Sequence, residues 1–210
     1  MPQATISDLT IQDLEFSGGL TLLNTRIKKG KVFGTFDATD SLLANLELKA
    51  DYSLSSLTNS SLENGTISLG HGQLTTKNTN LKSVTIQSLS PGGVEAEETS
   101  LENVTFTVTS EQESEETNDN GAIFTAHALT LKGTNTISGG DVAVDITLTD
   151  PKTTDYKAKT EDGKISLGPL LTPAKIDKGT TSDNITYTAN TEKATGSLTV
   201  ELNKGDIILK

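Results

Sequence analysis

A six-residue phrase recurs along the first half of the chain. It consists of an aliphatic residue, any residue, an Asn, Asp or Ser, two further residues and a second apolar residue. It runs from Ile6 to Ile11, Leu22 to Ile27, Leu43 to Leu48, Leu62 to Ile67, Leu81 to Ile86 and Leu101 to Phe106. The first apolar positions are separated by 16, 21, 19, 19 and 20 residues. Self-similarity at a nearly fixed period in this range marks a stacked solenoid, in which each repeat covers the apolar face of its neighbours.

Within each phrase the two apolar residues lie five apart, an odd spacing that places them on opposite faces of one flat strand. Both point inward only if the chain bends between them. The residue in the middle is the natural corner, and it is Asp8, Asn24, Asn45, Asn64, Ser83 or Asn103. Such side chains bond nearby backbone, and Asn and Asp tolerate left-handed torsion angles. Stacked in register, they would also bond one another from rung to rung.

Composition agrees with this reading. Hydrophobic residues make up 33% of the 210, aromatics 4%, and there is no Trp. A wide globular core would be thin at that content, whereas a solenoid needs only ladders of aliphatic and β-branched side chains. There is no Cys, so neither disulfides nor thiolate metal sites are available. The net charge is −11 and Arg26 is the only arginine, which disfavours nucleic acid as a direct partner. Neither an export signal at the amino terminus nor eighteen consecutive apolar residues is visible, so no integral membrane segment is expected.

Period and corner chemistry together resemble the parallel β-helix of autotransporter passenger domains and of phage tailspike and fibre proteins, over about residues 6 to 110. The five-residue beat, as in Leu57, Leu62 and Ile67, is also similar to pentapeptide-repeat proteins, some of which are acidic mimics of DNA. That family keeps the beat almost continuously. Here it lapses after two or three steps per turn.

Beyond the repeats, residues 111–120 contain five acidic residues and nothing apolar, which reads as an acidic loop or linker. Its carboxylates are hard ligands suited to Ca²⁺, but the spacing fits no calcium motif. Alternating apolar residues then return at Val142 to Leu148, Ile185 to Ala189 and Leu198 to Leu202, the last two reading as a hairpin. Short stretches of this half resemble chlamydial polymorphic outer-membrane passengers, and its end resembles jelly-roll strands of lipopolysaccharide-transport proteins. The expected fold is all-β: a β-solenoid of about six coils over residues 1–110, then an antiparallel β cap or oligomerisation domain over 121–210.

A search for catalytic chemistry yields no constellation. His71 and His127 stand without metal-pair or triad spacing. Asp37 with Asp40 is the one carboxylate pair suited to glycoside hydrolysis, and only Tyr52, Tyr156 and Tyr187 supply tyrosine platforms. No catalytic, cofactor-binding or metal-ligating residue is therefore assigned, and no cofactor is expected. The functional expectation is a non-enzymatic structural or adhesive protein of a virion or cell surface, with protein partners, self-association or a surface glycan as its contacts. A lipid-transport or other jelly-roll binding module, a carbohydrate-active β-helix and an acidic DNA mimic are the alternatives.

Overall fold

The computed structural model describes residues 2–89, 91–109, 121–171, 175–178, 185–189 and 194–210. The acidic run 111–120, with its candidate calcium ligands, lies outside them. The protein is all-β, with a long parallel sheet compatible with a β-solenoid and, among the described residues, one 3-10 turn at Pro151–Thr153. No helix among the described residues is long and apolar enough to cross a membrane. The segment from Asp40 to Leu48, whose leucines are spaced as in a helix, forms the strands Leu42–Ala44 and Leu46–Lys49.

Three ladders of parallel strands, sheets A, B and C, are built by the chain returning to each in turn. The inward column of sheet A pairs Ile6, Leu22, Ala38, Leu57, Thr76, Ala96 and Ala126. Sheet B pairs Ile11, Ile27, Leu43, Leu62, Leu81, Leu101 and Leu131. Sheet C pairs Phe16, Val32, Leu48, Ile67, Ile86, Phe106 and Ile137. The step from A to B is always five residues, and from B to C five until the last, Leu131 to Ile137, which is six. The return from C to A varies. It takes six residues from Phe16 and Val32, nine from Leu48 and Ile67, ten from Ile86 and twenty from Phe106.

This geometry corrects the phase of the sequence template. Leu22 and Leu43 both begin a five-residue step, yet Leu22 belongs to sheet A and Leu43 to sheet B. Two corners of equal length cannot be told apart by spacing alone. The apparent interval of 21 residues is a slip from one corner to the next, and both early windings are 16 residues long.

At the return corner of these short windings Gly18 and Gly34 adopt φ of 135° and 130°. A Cβ on Gly34 would stand 2.3 Å from the Gly18 carbonyl oxygen, so only glycine permits the stacking there. One apolar cluster runs from Leu20 to Leu209, and its parallel pairs continue across the acidic run into the strand Ala122–Leu148. Phe106 and Phe124, with ring centroids 5.3 Å apart, fill the core beside the small Ala96 and Ala126.

The carboxyl-terminal half differs from a simple antiparallel cap. Antiparallel pairs are confined to Lys175–Lys178, Ile185–Ala189 and Thr154–Asp162. The other described pairs there are parallel. The hairpin expected between 185–189 and 198–202 does not form. Instead Gly196–Lys204 lies between Thr154–Asp162 on one side and residues 133–141 on the other, parallel to both. Two alternating segments joined by a short polar link look like a hairpin locally, but Gly196–Lys204 takes its backbone partners from parallel strands on both sides.

Asn135, only 1% exposed, joins these parts. Its Oδ1 accepts from Val104 N at 2.9 Å, and its Nδ2 donates to Lys132 O at 3.0 Å and Ser197 O at 3.3 Å. Asn135→Ala strips partners from buried backbone groups and should cost about 2–3 kcal/mol in urea unfolding, with the m-value kept.

Candidate contact face

The corners come first, because they fix what the faces display. All six corner residues read from the phrase have positive φ: Asp8 55°, Asn24 46°, Asn45 51°, Asn64 56°, Ser83 53° and Asn103 57°. They lie in two columns. Asp8 and Asn24 turn the chain from sheet A to B, and the other four turn it from B to C. The first column continues through Asp40, Asn59, Asn78 and Glu98, also with positive φ.

In that first column Asn and Asp side chains bond one another from rung to rung. Asn24 Nδ2 donates to Asp8 Oδ1 at 2.7 Å, Asn59 Nδ2 to Asp40 Oδ1 at 3.1 Å, and Asn78 Nδ2 to Asn59 Oδ1 at 3.0 Å. In the second column Asn45 Nδ2 donates to the Lys28 carbonyl and Asn103 Oδ1 accepts from Thr134 N. Behind the first column stand buried hydroxyls at Thr25, Ser41, Ser60, Thr79 and Thr99. Each donates to the carbonyl two residues back, and Ser41 and Ser60 also accept from the backbone of the rung before. The signal was an Asp/Asn-Ser/Thr dipeptide at 24, 40, 59 and 78, which reading by the single phrase passed over.

With corners fixed, outward residues also stack in register. On sheet C one outward column pairs Thr66, Thr85, Thr105, Thr136 and Thr199. The parallel column two residues on pairs Ser68, Gln87, Thr107 and Ser138. Thr66, Thr85 and Thr105 are exposed, and Thr136 and Thr199 are half-buried. In a chain with 21% charged residues these nine positions carry no charge. Rungs stand about 4.8 Å apart and alternate residues about 6.6 Å, so the hydroxyls form a regular two-dimensional array.

Charges bound this array. In its first column Glu15, Lys31 and Glu47 precede Thr66, and Lys157 follows Thr199. Lys31 bonds Glu47 at 2.9 Å, and Lys157 pairs with Glu201. An open concavity alongside the array's far end is lined by Ser138, Gly139, Lys159, Glu161, Glu201 and Asn203. Each array hydroxyl can both donate and accept, which suits a polyhydroxylated neutral surface.

The candidate catalytic groups lie elsewhere. Asp37 faces outward on sheet A and its Oδ1 accepts from Ser56 Oγ at 2.6 Å, while Asp40 sits at the first corner bonded to Asn59. His71 is in the return corner with its ring 4.9 Å from that of Tyr52, and His127 is exposed beside Glu97 on sheet A. Among the described residues no group of three His, Cys, Asp or Glu side chains could hold a metal ion. No family model, curated protein or solved structure matches the chain.

The hydrogen bond from Lys31, reinforced by its charge, holds the Glu47 carboxyl below the usual carboxylate range, and Glu47 in turn raises Lys31. Because the Glu47 value is lower in the folded chain, its contribution is present above the unfolded value and lost as pH falls through the folded one. The Lys31 contribution is full below the unfolded lysine value and lost as pH rises through the folded one. An NMR titration should place the Glu47 midpoint below that of an ordinary glutamate, and Lys31→Met should raise it towards that value, with Lys49 still holding it down in part.

The left-handed corner gives a second test. Asn59→Gly and Asn59→Val lose the same rung-to-rung side-chain bonds, so Asn59→Val, branched at a φ of 49°, should be about 1–2 kcal/mol less stable than Asn59→Gly in thermal unfolding.

Proposed function

We propose that this chain is a non-enzymatic structural or adhesive protein of a cell surface or virion. Residues 1–110 act as a β-solenoid of about six coils, and residues 121–210 act as its terminal cap and self-association unit. The observation that carries the adhesive reading is the charge-free hydroxyl array on sheet C. Surface glycans are its proposed ligand, met by many weak hydrogen bonds whose avidity comes from repetition. Phosphate-bearing partners fit poorly with a net charge of −11.

The jelly-roll carrier and the glycosidase receive less support. The carrier calls for an apolar groove, and the open concavities beside the first corner and beside sheet C have charged and hydroxyl side chains in their linings. The glycosidase calls for two free carboxylates, and Asp37 and Asp40 are each bonded to a neighbouring rung.

The test is binding of the full chain to a glycan array beside the double variant Thr85→Lys/Thr105→Lys. These exposed changes should leave the unfolding midpoint within a degree or two and reduce bound signal at least tenfold. Equal binding by the variant would remove sheet C as the contact face. No binding by the parent chain to any glycan would remove the ligand class.

A further inference from the structure

Three segments near the carboxyl end share one shape, a run along sheet C followed by a corner and a run along sheet A. They are residues 133–146, 154–167 and 196–209, and they stack in register. Ile137 pairs with Val200, which pairs with Ala158, and Val144 pairs with Ile207, which pairs with Ile165. The last of them in sequence is the middle one in space. Elsewhere in the described stack each winding pairs with the winding next to it in the chain. Here the two outer segments, joined through the turn Pro151–Thr153, hold a slot one strand wide.

The slot is demanding and well matched. Leu198, Val200, Leu202, Ile207 and Leu209 are at most 2% exposed within it. On one side Val144 N donates to Asp206 O at 2.9 Å and Lys210 N to Ile146 O at 2.8 Å. On the other, Gly205 N donates to Asp162 O and Ile207 N to Lys164 O, both at 2.8 Å. Lys164 N also donates to Asp206 Oδ1 at 2.8 Å, and the Lys210 ammonium meets both Asp145 oxygens at 3.0 and 3.1 Å. With the slot empty, two rows of backbone groups and the core beneath would be open, an arrangement that templates pairing with another strand.

Within residues 168–195, which separate Leu167 from the inserted segment, the strand Ile185–Ala189 pairs with Thr154–Asp162, so the tether is residues 190–195. Six residues can reach about 20 Å, several strand spacings and thus past one molecule's own slot. An identical segment from a second copy would make the same bonds and bury the same side chains, so the two arrangements differ mainly in the entropy of association.

We propose that residues 196–210 are an exchangeable rung, and that copies of this chain self-associate by placing this segment of one molecule in the slot of another. Reciprocal exchange gives a closed dimer, and one-directional exchange gives an open chain of molecules. This deepens the self-association part of the function proposed above and is independent of the glycan ligand, so either can fail alone.

The chain has no cysteine, which makes a crosslinking test clean. Glu201 pairs with Ser138 on sheet C, both facing outward, at a separation typical of neighbouring strands and within disulfide reach. Full-length Ser138→Cys and Glu201→Cys, carrying tags of different mass, are mixed, opened in denaturant, refolded together at several concentrations and oxidised. A mixed disulfide dimer that rises with protein concentration is the expected result. The double variant Ser138→Cys/Glu201→Cys must oxidise within one chain when dilute, and failure to do so would refute the register. If the double variant oxidises but the mixture yields no mixed dimer, exchange is ruled out. Ser68→Cys lies in the same outward column but away from the slot. Equal linking of Ser68→Cys to Glu201→Cys would show collision rather than exchange, and would also overturn the proposal.

Discussion

Parallel backbone pairing in strict register is the interaction on which the rest depends. Each strand satisfies its N–H and C=O groups on the strands one winding before and after, so a residue is stacked on its own counterpart. The inward columns must then be made of side chains that tolerate contact with near-copies of themselves. Leucine, isoleucine and valine do so throughout sheet B and most of sheet C, and alanine in sheet A makes room for the phenylalanines. Corners obey the same rule. A left-handed turn stacked on a left-handed turn favours Asn, Asp and Ser, and the buried hydroxyl behind it donates to a carbonyl already bonded by the neighbouring rung, while at Ser41 and Ser60 it also accepts from a backbone N–H of the rung before.

The same register governs the surface, where like on like is a liability for charges. The outward columns avoid it by alternation. Glu15, Lys31 and Glu47 follow one another on sheet C, and Glu63, Lys82, Glu102 and Lys132 do so on sheet B. Lys82 stands 3.8 Å from Glu63 and 3.5 Å from Glu102, an exposed ladder whose main effect is to avoid repulsion. Hydroxyls are the other solution, since a threonine can face a threonine without cost. The neutral array on sheet C is thus a surface that stacking permits and an acidic chain would not otherwise show.

Much of this was legible in the sequence, and the reasons for the rest are physical. The five-residue steps and the residues at corners were readable because bending the chain inward twice demands them. Which corner a phrase occupied was not, because two corners of equal length leave the same trace, as Leu22 and Leu43 show. The outward threonines were visible only as a habit of standing before the third apolar residue, at 66, 85, 105 and 136, which has no meaning until the register is known. The inserted last rung left no local mark at all. Its alternation at Leu198, Val200 and Leu202 is that of any half-buried strand, and partners some 40 and 60 residues away are chosen by slot and edge rather than by turn chemistry.

The return corner from sheet C to sheet A absorbs every early change in winding length, from a single glycine at Gly18 to the turn Ala50–Ser53 and on to the span after Thr109. Loop closure grows only slowly in cost with length, so this edge is where the gene can lengthen without disturbing the ladder. It forms a row of graft points along one side of the stack, at the rung interval. Foreign peptides placed there would be held side by side in fixed order, which makes the molecule a ruler for presenting several short sequences at once.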